Sequence, residues 1–576
     1  MVNREELIKQ LKSAYRKFKT YSYYDNFGAI NRKKLADFEV NESISFSDNF
    51  FERFADDLLD ETKRRTLFED TEKVDILCYP KSIEDSQTLG NIPEDNNVVI
   101  KLNYFIDLDI KSHILGTLWI LRCGWLLDHR LNKNIHGNRI NKEVLNKIID
   151  CEKDKSKYSE LTPFLFEPYF KRYQIWRDEA LDSVEKLLDK NENAIILSLD
   201  FKEYYYTATI NFEKLKFDIK SAKRKLLGIN FDKLNDDDKF DEDLTDFIEN
   251  IFKKYTKFFE RHNYDGNLPM IPIGFLPSLI ISNWNLQAFD QSILHIVNPD
   301  YYGRYVDDVL MVFKISPKSE SFSKANFESN ANEIIEKYLT PNPPNPKHDI
   351  IRKIVEEGDY GLDNLREKEK SKISEYKNLR IQSTKLNVFS FTHDNSRALI
   401  DNFKKEIYRN SSEFRLMHEV ENLYADVGKR IFSIQYAESI NKFGEIKSIK
   451  LNKFELSKTL SWLIRSSIYE TDNVSEENRK NVIHAFSGNK KIEFMTLWEK
   501  LIEFLFIQNK FKILEEEIRN IHLKISQLDY KSDETSNKST YAYVDDSQSL
   551  MKKSLKQFLF STYARVSCLK RLQIDI

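Results

Sequence analysis

The chain has 576 residues, 41% hydrophobic and 13% aromatic, with a formal net charge of −3. That length and apolar content supply cores for roughly two to four domains and exclude wholesale disorder. The near-neutral charge excludes a polycation, so contact with a polynucleotide has to come through a local basic groove.

Cys78, Cys123, Cys151 and Cys568 are far apart, with neither ligand pairing nor a disulfide framework. A reducing cytosol is expected. The opening residues, Met1-Val2-Asn3-Arg4-Glu5-Glu6, lack the apolar core of a signal peptide. The most apolar long stretch, Ile114 to Leu127, is interrupted by Arg122 and is too short to span a bilayer, so it reads as a buried helix. The expectation is a soluble, cytoplasmic protein with no membrane partner.

Leu7, Leu11, Tyr15 and Phe18 recur at helical spacing over residues 4–20, as an ordinary amphipathic helix requires. A second helix is expected around Phe50 to Leu59, strands at Val74 to Tyr79 and Val98 to Phe105, and a helix from His113 to Leu127. His136-Gly137-Asn138-Arg139 reads as a turn. Rings and cations interleave from Phe164 to Trp176, a pattern that suits stacking on bases. The preferred reading there is a helix packing its rings inward. A helix over 178–190 closes at Asn191.

Ala194 to Leu199 is a buried-strand run ending in Asp200, a common place for a site residue. The acid run Asp236, Asp237, Asp238, Asp241, Glu242, Asp243 reads as a solvated loop. Gly and Pro in Leu268 to Ser278 precede helical spacing from Leu279 to Phe289 and allow close approach of a ligand to the backbone.

Residues 300–313, DYYGRYVDDVLMVF, carry two adjacent acids between aromatic and apolar runs. Two short buried strands with Asp307 and Asp308 at their turn would offer hard oxygen donors on a rigid support. The same four letters recur at Tyr543-Val544-Asp545-Asp546 in polar surroundings, where the acids suit the start of a helix running from Leu550. Residues 316–377 read as a polar surface insertion, 378–391 as strand again, and almost everything beyond Ala398 as helix. The expected helices there include Met417 to Ser439, Leu456 to Tyr469, Ser475 to Phe486 and Phe494 to Ser526.

In order, the chain presents a strand with Asp200, a Gly-containing loop and helix, a strand pair with Asp307 and Asp308, and a strand with Lys385. Two-metal phosphoryl transfer needs such a set, with three carboxylates holding two ions roughly 3.5–4 Å apart. These segments resemble the reverse transcriptase family. Leu197 to Tyr205 looks like its first palm motif, Gly274-Phe275-Leu276-Pro277-Ser278 matches G-x-x-x-S, and Tyr305-Val306-Asp307-Asp308 matches the Y-x-D-D hairpin. Leu379 to Phe391 is similar to the lysine-bearing and primer-grip strands. Within the family the chain is most similar to the bacterial defence-associated, abortive-infection group, on Tyr23-Tyr24-Asp25, Gly137-Asn138-Arg139, Pro272-x-Gly274 and the long helical second half.

The resemblance implies an α+β architecture: an N-terminal and fingers region (1–190), a palm (191–395, with the insertion) and an α-helical domain (396–576). It implies a polymerase that adds dNTPs with two Mg²⁺ ions, Mn²⁺ being an alternative, to give single-stranded DNA in antiphage defence. The resemblance implies synthesis that can dispense with an added template and start on a tyrosine, for which Tyr21, Tyr23, Tyr24, Tyr541 and Tyr543 are candidates. A homo-oligomer is implied, with a non-coding RNA as a further partner. Asp200, Phe201 (through its carbonyl), Asp307 and Asp308 are the implied metal-site residues, and Lys385 a proton donor to pyrophosphate. Tyr205 is the implied 2′-hydroxyl gate, Arg139 (or Lys81) a triphosphate clamp, and Gly274 and Ser278 nucleotide-binding residues. One departure stands out: Ile273 occupies the place where many family members have Gln, and it cannot make that hydrogen bond. Two competing readings are an RNA-templated reverse transcriptase using a partner RNA, and a catalytically silent nucleic-acid scaffold or sensor. No maturase, endonuclease or integrase motif supports the first, and the intact acids speak against the second.

Overall fold

The computed structural model describes residues 3–44, 49–71, 73–84, 99–153, 162–201, 203–227, 236–261, 268–315, 387–391, 432–436, 446–451, 453–469, 476–528, 542–543 and 546–574. In chain order come helices α1 (Arg4–Tyr24), α2 (Ala29–Asn41), α3 (Asn49–Leu59) and α4 (Glu61–Thr71), then strands β1 (Asp75–Glu84) and β2 (Val99–Asp107). Helix α5 (Ile110–Trp119) passes through a π-helical turn, Ile120–Gly124, into α6 (Trp125–His129). Next are α7 (Lys142–Lys153), α8 (Tyr169–Leu188), β3 (Asn193–Asp200), α9 (Tyr204–Thr207), α10 (Phe212–Leu227), α11 (Asp236–Thr256), β4 (Glu260–Arg261), α12 (Leu276–Asn285) and α13 (Gln287–Ser292). Strands β5 (Tyr301–Tyr305), β6 (Asp308–Ile315), β7 (Asn387–Phe391), β8 (Phe432–Tyr436) and β9 (Ile446–Leu451) follow.

The chain divides into two units that are interleaved in sequence. One comprises residues 1–21, 42–75 and 106–411, and the other 22–41, 76–105 and 412–576. The first unit therefore holds most of what the sequence suggests as fingers together with the palm, while 22–41 and 76–105 join the C-terminal helices.

In the first unit, β5-β6-β3-β7 form a four-stranded sheet, antiparallel at each of its three pairings. Alternation along β3 sends Ala194 and Ile196 to one face. There they form a core with Val312 and Phe391, capped by Ala180, Leu181, Val184, Leu187 and Leu188 of α8. The helix thus anchors the sheet through its C-terminal half. Asn191, with φ of 58°, turns the chain from α8 into β3. On α1, the expected Leu7, Leu11, Tyr15 and Phe18 are the buried face, and Phe18 stacks on His113 at 4.4 Å between centroids.

The acid run at 236–243 corrects an expectation. It opens α11 rather than forming a solvated loop, and Asp238 and Asp241 are buried. Lys223 Nζ donates to both, at 2.8 and 3.0 Å, Arg122 Nε donates to Asp241 at 2.6 Å, and Arg64 binds Asp243. Cations from three distant segments are what make burial of these carboxylates tolerable.

In the second unit, Phe27, Tyr79 and Phe105 cluster, and Tyr79 meets Phe558 of the helix Ser547–Ile574. Trp498 packs on the same Phe558, and the Cys78 amide donates to Ser554 Oγ at 3.0 Å. Helices Lys453–Tyr469 and Glu476–Ala485 lie where expected, while the expected Phe494–Ser526 helix is broken into Trp498–Ile507 and Phe511–Gln527. Asn509, with φ of 54°, marks the break. A helix over Met417 to Ser439 is overturned at its C-terminal end: Phe432–Tyr436 is β8, paired antiparallel with β9. The β-branched and aromatic alternation of Phe432, Ile434 and Tyr436 suits a strand. Asp546 of the second copy lies at the start of the last helix, as expected, its carbonyl accepting from Leu550; Asp545 lies outside the described residues. The expected insertion at 316–377 lies outside the described residues. No helix among the described residues is long and apolar enough to cross a membrane.

Candidate active site

Strands β5 and β6 make a tight hairpin, with Tyr305 opposite Asp308 and Val306-Asp307 as its two-residue turn. Two-residue hairpin turns favour positive φ, usually supplied by Asn or Gly. Here Val306 takes φ of 59°, a strained conformation for a β-branched residue that the surroundings must hold.

They do so from below. Arg304, wholly buried, donates through Nη1 to the Val306 carbonyl at 2.6 Å and to Asn283 Oδ1 at 3.0 Å. Its Nε and Nη2 each reach Asp290 at 2.7 Å, and Tyr302 Oη donates to the same Asp290 at 2.5 Å. Asn283 Nδ2 donates to the Gly137 carbonyl at 2.7 Å. Gly137 lies so close to the turn that a Cβ there would sit 2.6 Å from Val306 N and Cγ2. The His136 amide donates to the Arg304 carbonyl, and the Arg304 amide to Asn134 O, so loop 134–137 braces β5. Sequence reading missed Arg304, Asp290 and Asn283. The available signal was a cation inside a strand otherwise aromatic and apolar, which demands a buried partner.

The three acidic residues lie at one end of the sheet. Asp200 closes β3 directly opposite Asp308, which opens β6, so pleat alternation puts them on one face. The Phe201 amide donates to the Asp307 carbonyl at 3.3 Å, tying the third acid to the same edge. Asp200 is buried; Asp307 and Asp308 are half-buried. Among the described residues no group of three or more His, Cys, Asp or Glu side chains is already gathered as a metal cluster. The donor chemistry, three carboxylates and nearby carbonyl oxygens, is that of a hard divalent cation such as Mg²⁺.

Tyr205, half-buried on α9, lies within the field of Asp307. Burial, and next that negative charge, push its hydroxyl pKa up. The Tyr205 carbonyl accepts from the Ile271 amide at 3.4 Å, which joins the segment after Asp200 to the loop before α12. In that loop Gly274 is exposed and has φ of 93°, a conformation glycine accepts without penalty. Phe201 is buried against Phe289, at 5.2 Å between centroids.

Two of the residues expected to contact nucleotide have partners or burial inside the protein. Arg139 has its guanidinium committed inside the protein: Nε donates to Asp128 Oδ1 at 2.9 Å, and the remaining donors reach the carbonyls of Asn132, Ile135 and Asp128. It holds the turn that carries Gly137, with four of its five N–H donors committed. Ser278 is 1% exposed on α12, with a buried hydroxyl. Lys385 and Tyr541 lie outside the described residues. Lys81 is exposed on β1, and Tyr23 and Tyr24 are 59% and 67% exposed, all in the second unit.

The aromatic stretch also departs from expectation. Residues from Tyr169 do form α8, but only Trp176 turns inward; Phe164, Tyr169, Phe170 and Tyr173 keep 37–62% of their surface exposed. Tyr173 meets Tyr305 edge-on at 5.1 Å, and Tyr305 Oη donates to the Tyr169 carbonyl at 3.2 Å. Burial, then the charge of Asp308, raise the Tyr173 pKa, which places that ring beside the acids.

No protein-family model matches this chain, and no curated protein matches it.

Proposed function

We propose that the chain is a DNA polymerase of the reverse-transcriptase type, adding dNTPs in the presence of Mg²⁺ or Mn²⁺, and serving bacterial antiphage defence. The observation that carries the reading is the convergence of Asp200, Asp307 and Asp308 on one sheet edge from segments more than a hundred residues apart in sequence. A rigid strand end and a braced hairpin are what such chemistry needs, because misplacing the reacting atoms slightly is costly.

In this reading Asp200 and Asp307 hold the ions, with Asp308 beside them. When bound, two divalent ions would activate the attacking hydroxyl and neutralise the departing pyrophosphate. Tyr205, next to Asp307, fills the space a 2′-hydroxyl would need, and so selects deoxynucleotides. Gly274, lacking a side chain, lets the incoming nucleotide approach the backbone. The Arg304–Asp290–Asn283 network keeps the Val306-Asp307 turn in its strained form throughout.

The test uses the purified full chain with labelled dNTPs and Mg²⁺, without template or primer and then with cellular RNA, products being resolved before and after protease. The expected result is DNA that travels with protein until protease treatment. DNA made only with added RNA would make this an RNA-templated enzyme instead. No incorporation in any arm would overturn the polymerase reading.

A further inference from the structure

We infer that the outward face of α8 is a stacking platform for single-stranded DNA next to the carboxylate edge. The inference rests on the polymerase reading for the identity of the strand, but its geometry is independent of it. Tyr169, Phe170 and Tyr173 are 62%, 37% and 43% exposed, and Phe164 just before the helix is 48% exposed. Four large rings on one short stretch each keep 37–62% of their surface in water, which forgoes favourable burial unless a ligand covers them. They are not a loose hydrophobic patch. Tyr169 and Phe170 meet edge-on at 5.9 Å, Tyr173 meets both Trp176 and Tyr305, and Tyr305 stands opposite Asp308 in the hairpin.

The charges beside the rings select the occupant. Lys171 is exposed, and no acidic partner for it lies among the described residues. Nε of Arg172 is buried without a hydrogen-bond partner among them. Of the four acids on this helix, Asp178 is paired with Arg177 at 2.9 Å, whereas Glu179, 3.4 Å from a neutral His136, keeps its charge beyond the ring-bearing first turn. Asp128, within the field of Arg172, is taken by Arg139. Aromatic faces for bases alternating with cations for phosphates are the surface a single strand requires, whereas a duplex hides its base faces. The position fits as well, since Tyr173 lies within the field of Asp308, so a strand stacked here would begin at the site of addition.

The experiment measures binding of a fluorescent 20-nucleotide oligo(dT) to the full chain by anisotropy, in EDTA and without dNTPs, beside dNTP incorporation in Mg²⁺. The variants are Tyr169→Ser/Phe170→Ser, whose rings are exposed and whose loss leaves the Tyr169 carbonyl in place, and Lys171→Glu. The platform predicts at least tenfold weaker binding for each, preserved circular dichroism, and weak competition by duplex of the same length. Unchanged affinity in the ring variant overturns the platform, as does equal or tighter binding of duplex or of oligo(rU). Ring-dependent DNA binding without incorporation would overturn the polymerase reading and leave the platform standing; incorporation without ring-dependent binding would do the reverse.

Discussion

Arg304 Nη1 donates to the carbonyl of Val306 across 2.6 Å, so a wholly buried cation holds the turn that presents Asp307. The same guanidinium is paired with Asp290 by two hydrogen bonds, which offsets the cost of burying it.

Removing one member of that pair strands the other. Asp290→Ala is expected to cost about 3–5 kcal/mol in urea unfolding. The double variant Arg304→Met/Asp290→Leu should recover much of that stability, because a buried pair replaced by apolar groups is often neutral. It should not recover dNTP incorporation, because Val306 then loses its donor. Equal loss of stability in the single and double variants would contradict this.

Gly137→Ala forces a methyl to within 2.6 Å of Val306. The expected outcome is about 1–3 kcal/mol of destabilisation from overpacking, with a larger fractional drop in incorporation than in folded protein at working temperature. Comparing activity at constant folded fraction checks it.

Val306 at φ of 59° stores strain that Asn tolerates better. Val306→Asn should raise stability by about 1 kcal/mol in the same unfolding experiment. A lower midpoint would show that the valine methyl contacts outweigh the backbone strain.

His136 braces the hairpin through its amide, and its ring is buried. Burial, then Arg172 and Arg139, lower its pKa from 6.5 to about 4, outweighing Glu179 nearby. Since the unfolded chain binds this proton more readily, the stabilising contribution is full above pH 6.5 and is lost as pH falls towards 4. Melting curves of wild type and His136→Gln should diverge over that window, by roughly 2–3 kcal/mol at pH 4.5. Parallel pH dependence would contradict it.

How much of this was legible beforehand depends on the range of the interaction. Helix α1, strand β3 and the β5–β6 hairpin could be read locally, since periodicity and an acid at a strand end are written in neighbouring residues. The facing of Asp200 and Asp308 was implied by motif order and needed the register to become geometry. What escaped was non-local. The acids of α11 look solvated until Lys223, Arg122 and Arg64 are brought to them. Arg139 looks available until Asp128 and three carbonyls occupy it. The α8 rings were expected inside because aromatic content suggests burial, yet the face that packs on the sheet is the aliphatic C-terminal half, Ala180 to Leu188.

The most direct test of the central claim is the initial rate of dNTP incorporation against Mg²⁺ concentration, for wild type and for Asp200→Asn and Asp307→Asn verified as folded by circular dichroism. The account predicts Mg²⁺-dependent incorporation by wild type and a loss of at least about 100-fold in each variant at every Mg²⁺ concentration. Wild-type rates retained in either folded variant, or incorporation indifferent to Mg²⁺ and Mn²⁺, would contradict it.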